Sequence, residues 1–240
     1  IDGFKGSHKA PDTFFTFKGF TEPGKVYRYQ PEQQRTTLWY ETEVPASLDQ
    51  YTTEQVVYNS ADGTEVPMFL VHHKDLELNG NNPTLLYGYG GFNISLTPGY
   101  DTTRVVWLEM GGVLAIPNLR GGGEFGEKWH QQGTKENKQN VFDDFIAAAE
   151  WLINNNYTNK DKLAIQGRSN GGLLVGATMV QRPELFAAAL PAVGVLDMLR
   201  YQLPSANARG WSSEFGLSEN EEDFKTLYEY SPVHNTESGT

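Results

Sequence analysis

The stretch that most constrains this chain runs from Leu163 to Gln181. It reads Leu-Ala-Ile-Gln, then Gly167-Arg168-Ser169-Asn170-Gly171-Gly172, then Leu-Leu-Val-Gly-Ala-Thr-Met-Val-Gln. A short apolar run enters a Gly-x-Ser-x-Gly turn, and a helix-like segment leaves it. A serine so placed sits on a strained strand-to-helix turn with its hydroxyl raised clear of the sheet. Gly167 and Gly171 remove β-carbons that would clash there. The Asn170 N–H falls at the start of the incoming helix, where free backbone donors can hold an oxyanion. A bare Gly-x-Ser-x-Gly recurs by chance as an ordinary glycine-rich turn. The strand before it and the helix after it make Ser169 a candidate nucleophile and Asn170 a candidate oxyanion donor.

The surrounding pattern fits the same architecture. Pro83–Tyr87 and Val113–Ile116 are predicted buried strands, Leu163–Gln166 is the predicted strand into the elbow, and Ala187–Val193 is the predicted next strand. Thr103–Met110 is predicted helical. Asn140–Ile153 is an amphipathic helix with Phe142, Phe145, Ile146, Ala149, Leu152 and Ile153 on one face. Asn140 is its expected cap, and Asp143 and Asp144 its expected first-turn acids. Ser218 and Glu221 form a capping box opening a helix to about Tyr228. Before Pro45 the pattern is β: Asp12–Phe20, Lys25–Gln30 and Thr36–Thr42, divided by Pro23-Gly24 and Pro31. Three such strands resemble part of an antiparallel blade from a larger β unit. Pro45–Gln50 is the expected linker. A hairpin follows, Glu54–Asn59 and Glu65–His72 about Asp62-Gly63. The prediction is therefore an α/β-hydrolase fold over 46–240, incomplete, with the last strands of a β unit over 1–45.

Charge and composition narrow the function. A net charge of −11 disfavours nucleic acid, whose phosphates would be repelled. No run approaches the roughly 18 apolar residues of a membrane span. With no cysteine there is neither a disulfide nor a thiolate metal site, but the compartment, cytoplasm or periplasm, stays open. The chain starts at Ile1 and stops after Glu-Ser-Gly-Thr, so both ends are expected to be cuts in a longer protein.

Four further features invite a functional reading. Tyr87-Gly88-Tyr89-Gly90-Gly91-Phe92 ends a strand in a glycine-rich loop, where this fold places its second oxyanion donor. The Tyr89 hydroxyl could serve as well as a backbone amide. Arg120-Gly121-Gly122-Gly123-Glu124-Phe125-Gly126 holds a literal Gly-x-Gly-x-x-Gly. It follows a later strand and lacks an immediate packed helix, so a structural turn is expected rather than a dinucleotide site. His72-His73 has no third ligand at metal spacing, and a solvated strand end is expected; Glu219–Asp223 is expected to be a solvated helix start. His234 is the one histidine after Ser169, with Asp197 and Asp223 as nearby acids. It comes too early for the usual Ser, acid, His order, so the acid and base are expected beyond Thr240.

Taken together, several motifs resemble the prolyl oligopeptidase family. They are Tyr-Gly-Tyr-Gly-Gly-Phe (87–92), Asn-Leu-Arg-Gly-Gly-Gly-Glu-Phe-Gly (118–126), Trp129-His130, Asn137-Lys138-Gln139-Asn140 with Phe142-Asp143-Asp144-Phe145, Gly-x-Ser-Asn-Gly-Gly-Leu-Leu (167–174) and Tyr230-Ser231-Pro232 with His234-Asn235. The similar oligopeptidase B family usually has alanine where this chain has Asn170. The resemblance implies a seven-bladed β-propeller over an α/β-hydrolase domain, with residues 1 to about 45 as the propeller's last strands. It implies Ser169 as nucleophile, and Tyr89 with the Asn170 amide as oxyanion donors. Trp211 matches the indole that stacks on a substrate proline, and Phe92, Val193 and Val195 match apolar pocket walls. Phe215 stands where the family often has tyrosine. The family's acid, histidine and substrate-carbonyl arginine have no counterpart here. The implied function is a serine endopeptidase cleaving short peptides after proline through an acyl-enzyme. It would need no cofactor or metal, engage neither nucleic acid nor membrane, and be monomeric at full length. The alternatives are an aminopeptidase or esterase of the same fold, or an inactive fragment. The 240 residues alone are expected neither to hydrolyse peptides nor to stay soluble.

Overall fold

The computed structural model describes residues 1–7, 9–204 and 206–238. The chain divides into two compact units: Ile1–Glu54 with Val71–Leu76 and Thr97–Gly111, and the remainder.

The first unit holds an antiparallel meander of β1 (Asp2–Lys5), β2 (Thr13–Phe17), β3 (Lys25–Gln30) and β4 (Arg35–Glu41), paired in that order. Cross-strand rings stabilise it: Phe15 stacks on Tyr27 at 5.4 Å, and Arg28 lies over the Trp39 ring at 5.7 Å. The meander has four strands where the sequence predicts three. β1 is four residues with one large apolar side chain, too short to show a period. Helix α1 (Thr102–Glu109) is capped by Asp101, whose carboxylate accepts the Thr103 N–H at 2.8 Å.

The second unit holds the greater part of a six-stranded sheet. The sheet's strands are β5 (Tyr51–Asn59), β6 (Glu65–His73), β7 (Thr84–Tyr87), β8 (Val113–Pro117), β9 (Leu163–Arg168) and β10 (Ala188–Ala192), in the order β10-β9-β7-β8-β6-β5. β7 pairs in parallel with both β8 and β9, and β9 with β10. Every residue of β8 is buried, as a strand covered on both faces requires. The chain runs from β7 to β8 on one side and returns to β9 on the other. The carboxyl ends of β7 and β9 therefore lie side by side at a topological switch point, where open α/β sheets bind ligands.

Helix α2 (Glu127–Gln131) is short, and α3 (Gln139–Asn154) presents Val141, Phe142, Phe145, Ala148, Ala149 and Leu152 to the core. Asn140 does not cap α3. A 3-10 turn at Lys135–Asn137 leads into the helix, so the chain is already helical at Lys138, and Asn140 Nδ2 donates to the Gln132 carbonyl. Asp143 and Asp144 accordingly fall beyond the first turn. Asp144 is fully buried and takes the Arg120 guanidinium, with Nη2 at 2.6 Å and Nε at 3.0 Å. Arg120 also reaches Asp62 at 2.6 Å and Ser60 at 3.2 Å, tying the hairpin turn to α3. Burial pushes the Asp144 carboxyl up, against the pull of Arg120. For Asp62 burial opposes ionisation too, but the Arg120 and Thr64 hydrogen bonds win and hold it down to about 2.

The remaining helices are α4 (Asn170–Gln181), α5 (Ala206–Arg209), α6 (Ser212–Phe215), α7 (Glu221–Tyr230) and α8 (Pro232–Asn235). Asn220, not Ser218, caps α7: its side chain accepts from the Glu222 and Asp223 amides, while Ser218 donates to the Leu199 carbonyl. His72 is buried rather than solvated, and β6 continues through it to His73. Among the described residues no helix is long and apolar enough to cross a membrane.

Arg120→Met would leave Asp144 buried without its partner. It is expected to cost about 3–5 kcal/mol in urea unfolding, much of it recovered in R120M/D144L. A loss under about 1 kcal/mol would show that the pair is not holding the turn to α3.

Candidate active site

β9 ends at Arg168, and Ser169 takes φ 58 and ψ −116, outside the ordinary regions for a residue with a side chain. The chain then enters α4. The turn closes because a β-carbon is absent where backbones meet. One on Gly167 would lie 2.1 Å from the Gly171 oxygen, and one on Gly171 would lie 2.5 Å from the Gly88 oxygen. The second contact presses the elbow onto the loop that leaves β7. Ser169 itself is exposed, its N–H held by the Ala192 carbonyl at 2.9 Å.

Two candidate donors share a cavity with Ser169. The Asn170 N–H opens α4 and makes no hydrogen bond among the described residues. The half-buried Tyr89 lines the same cavity as Ser169, near enough for the serine hydroxyl to act on its phenol. Burial raises the Tyr89 phenol above its ordinary value, Glu214 adds to this, and Ser169 pulls the other way. A phenol is protonated at neutral pH even without this shift, so the Tyr89 hydroxyl is available as a donor there. The Asn170 side chain is used separately: its Nδ2 donates to the Tyr89 carbonyl and pins the loop.

Beside this group lies a cavity of about 190 Å³ lined by Tyr89, Phe92, Ile94, Ser169, Asn170, Val195, Trp211 and Phe215. Its wall is a ring cluster. Phe92 meets Phe215 edge-on at 5.5 Å, Tyr201 meets Phe215 edge-on at 5.4 Å, and Tyr201 lies parallel to Trp211 at 6.4 Å. Seven of the eight residues expected from the sequence are thus brought together. Val193 is the correction. β10 ends at Ala192, the chain turns at Val193 with φ 46, and the residue is 67% exposed and outside the lining. Ile94 was missed, although it is the next apolar residue after Phe92 in the same loop.

The glycine-rich segment after β8 serves this loop. A β-carbon on Gly121 would lie 2.7 Å from the Gly90 oxygen, and one on Gly123 would lie 2.5 Å from the Asn93 oxygen. The Glu124 carboxylate accepts the Leu96 N–H at 2.8 Å. The space that a dinucleotide fingerprint keeps for phosphate is here filled by the 90–96 backbone. Beneath the loop lie Lys138 and Glu214, 1% and 2% exposed, paired at 2.9 Å. Sequence reading missed both roles. His234 bonds Ser231 at 2.8 Å, Asp197 pairs with Arg200, and Asp223 accepts the Leu217 N–H.

A strained serine at a switch point, a donor pair and a parallel sheet define an α/β-hydrolase with a serine nucleophile elbow. Comparison with known proteins narrows the class. The Prolyl oligopeptidase family (Peptidase_S9) matches residues 98–240, so the chain belongs to that family. It is 48% identical over 239 residues to a prolyl endopeptidase of Elizabethkingia miricola, covering 99% of this chain and 34% of that protein. A chain from a structural study of two prolyl endopeptidases superposes with a TM-score of 0.96 at 50% identity, over 99% of this chain and 35% of the other. Prolyl oligopeptidase B of Galerina marginata, bound to a 35mer hydrolysis and macrocyclization substrate, gives 0.95 at 41%, over 99% and 34%. The chain thus spans about a third of the length of the relatives it matches.

Gly171→Ala forces a β-carbon against a carbonyl that cannot rotate away. Thermal unfolding is expected to show a loss of about 1–3 kcal/mol. An unchanged melting temperature would mean that the elbow and the Tyr89 loop are not packed as described.

Proposed function

We propose that this chain is the nucleophile-bearing part of a serine endopeptidase that cleaves short peptides after proline. The observation that carries the reading is that Ser169, Tyr89 and Asn170 line one cavity with Phe92, Trp211 and Phe215. Proline is compact and apolar, and as the residue before the cleaved bond it presents a flat ring face to aromatic walls. The cavity suits it better than a lysine side chain, because the carboxylate behind the wall, Glu214, is buried and neutralised by Lys138.

In this reading the Ser169 oxygen attacks the carbonyl carbon of the proline itself. The serine proton passes to a general base, which we assign to the part of the protein that the longer relatives have and this chain does not span. The carbonyl oxygen becomes an oxyanion between the Tyr89 O–H and the Asn170 N–H, donors in place before charge develops. Collapse breaks the C–N bond, the base returns its proton to the amine, and water then hydrolyses the acyl-enzyme. Every step is acyl or proton transfer, and none calls on a cofactor. The β unit at 1–45 is proposed as the end of a propeller, and the full-length protein as a monomer acting on free peptides.

Chromogenic peptides bearing proline or lysine before the reporter test the reading in the full-length protein. Proline is expected to be strongly preferred; equal or reversed preference would move the chain to another selectivity. Ser169→Ala is expected to abolish turnover without lowering the melting temperature, since the side chain is exposed. Retention of more than a few per cent of activity would remove Ser169 as nucleophile. Tyr89→Phe is expected to lower kcat by about 10²–10³ with little change in KM. A change confined to KM would make Tyr89 a binding residue.

A further inference from the structure

The ion pair beneath the site is placed in an unusual way. Glu214 lies on α6 between Trp211 and Phe215, two residues of the cavity wall. Its Oε2 accepts the Phe92 N–H at 3.0 Å and faces His130 Nε2 at 3.0 Å. Its Oε1 accepts from Lys138 Nζ at 2.9 Å. Lys138, at the start of α3, donates also to the Gly90 carbonyl at 3.1 Å, and its ammonium lies 5.3 Å from the centre of the Phe215 ring. The pair therefore grips the loop on both sides of Gly91, at Gly90 and Phe92, beginning one residue beyond Tyr89. Gly91 has no room for a side chain there: a β-carbon would lie 2.7 Å from Glu214 Oε1.

We propose that Lys138 and Glu214 are positioning residues that aim the Tyr89 hydroxyl at Ser169 and tie its loop to the ring wall of the cavity. This rests on the roles of Ser169 and Tyr89 argued above. The geometry suits the task better than an apolar contact would. Two hydrogen bonds from one rigid pair fix both the height and the rotation of a loop whose Gly90 and Phe92 have φ of 61 and 55. The same pair touches the Phe215 ring, so a shift of the wall is felt at the loop. Stability alone does not explain it. Burial pushes the Lys138 ammonium down, with Glu214 opposing, and buried pairs are commonly replaceable by neutral groups without loss of stability.

The test uses the full-length protein with Glu214→Gln, Lys138→Met and the neutral double variant K138M/E214Q. Glu214→Gln is expected to lower kcat about 10- to 100-fold with KM changed less than threefold, as for a displaced catalytic donor. The double variant is expected to regain the melting temperature lost by either single variant, yet not kcat. In a Tyr89→Phe background, Glu214→Gln is expected to cost less than about threefold, because no hydroxyl remains to be aimed. Recovery of kcat along with the melting temperature would overturn the proposal, as would effects that simply multiply in the Tyr89→Phe background. The rate at which a fluorophosphonate labels Ser169 provides a parallel readout. A parent that labels but does not cleave after proline would overturn the substrate reading and leave the labelling rates, judged by the same two criteria, to decide this one. A parent that neither labels nor cleaves would overturn both.

Discussion

The site depends on one close approach, that of the Gly171 Cα to the Gly88 carbonyl. It brings the elbow after β9 against the loop after β7, and it exists because those strands are parallel neighbours, with Tyr87 paired to Gln166. Ser169 alone would be a strained residue costing about 1–3 kcal/mol. Pressed onto the neighbouring loop, it shares a cavity with Tyr89, and the start of α4 places a free N–H on the next residue. The candidate nucleophile and the two proposed oxyanion donors are thus brought together by one backbone contact between two strand ends.

Around that contact the fold uses buried charge as a fastener. Arg120 ties the hairpin turn to α3 through Asp62 and Asp144. Glu124 holds the loop at Leu96, and Lys138 with Glu214 holds it at Gly90 and Phe92. Such groups are costly to bury, but each fixes a direction as well as a distance, which apolar packing does less well. The glycines at 121 and 123 let the supporting segment come close enough for this to work.

How much of this was legible follows from how local each signal is. The elbow, the covered strands and the apolar face of α3 are written in consecutive residues, and they were found. Trp211, Phe215 and Phe92 came from resemblance, since nothing in their spacing shows that they share a cavity. The buried charges were not legible, because a lysine beside a helix start and a glutamate in a polar stretch look solvated. Lys138 and Glu214 meet across 76 residues, and Arg120 and Asp144 across 24. The helix caps failed for a related reason: Asn140 and Ser218 found distant carbonyls in place of their own helices. Val193 was misplaced by one turn of backbone that strand patterning does not reveal.

The most direct measurement is a crystal structure of the full-length protein reacted with an aldehyde or phosphonate carrying proline before the reactive centre. The account predicts a covalent bond from the Ser169 oxygen and the inhibitor oxygen within about 3 Å of both the Tyr89 hydroxyl and the Asn170 nitrogen, the reach of a hydrogen bond. The proline ring should lie against Trp211. A bond to another residue, or an oxygen that reaches neither donor, would contradict it.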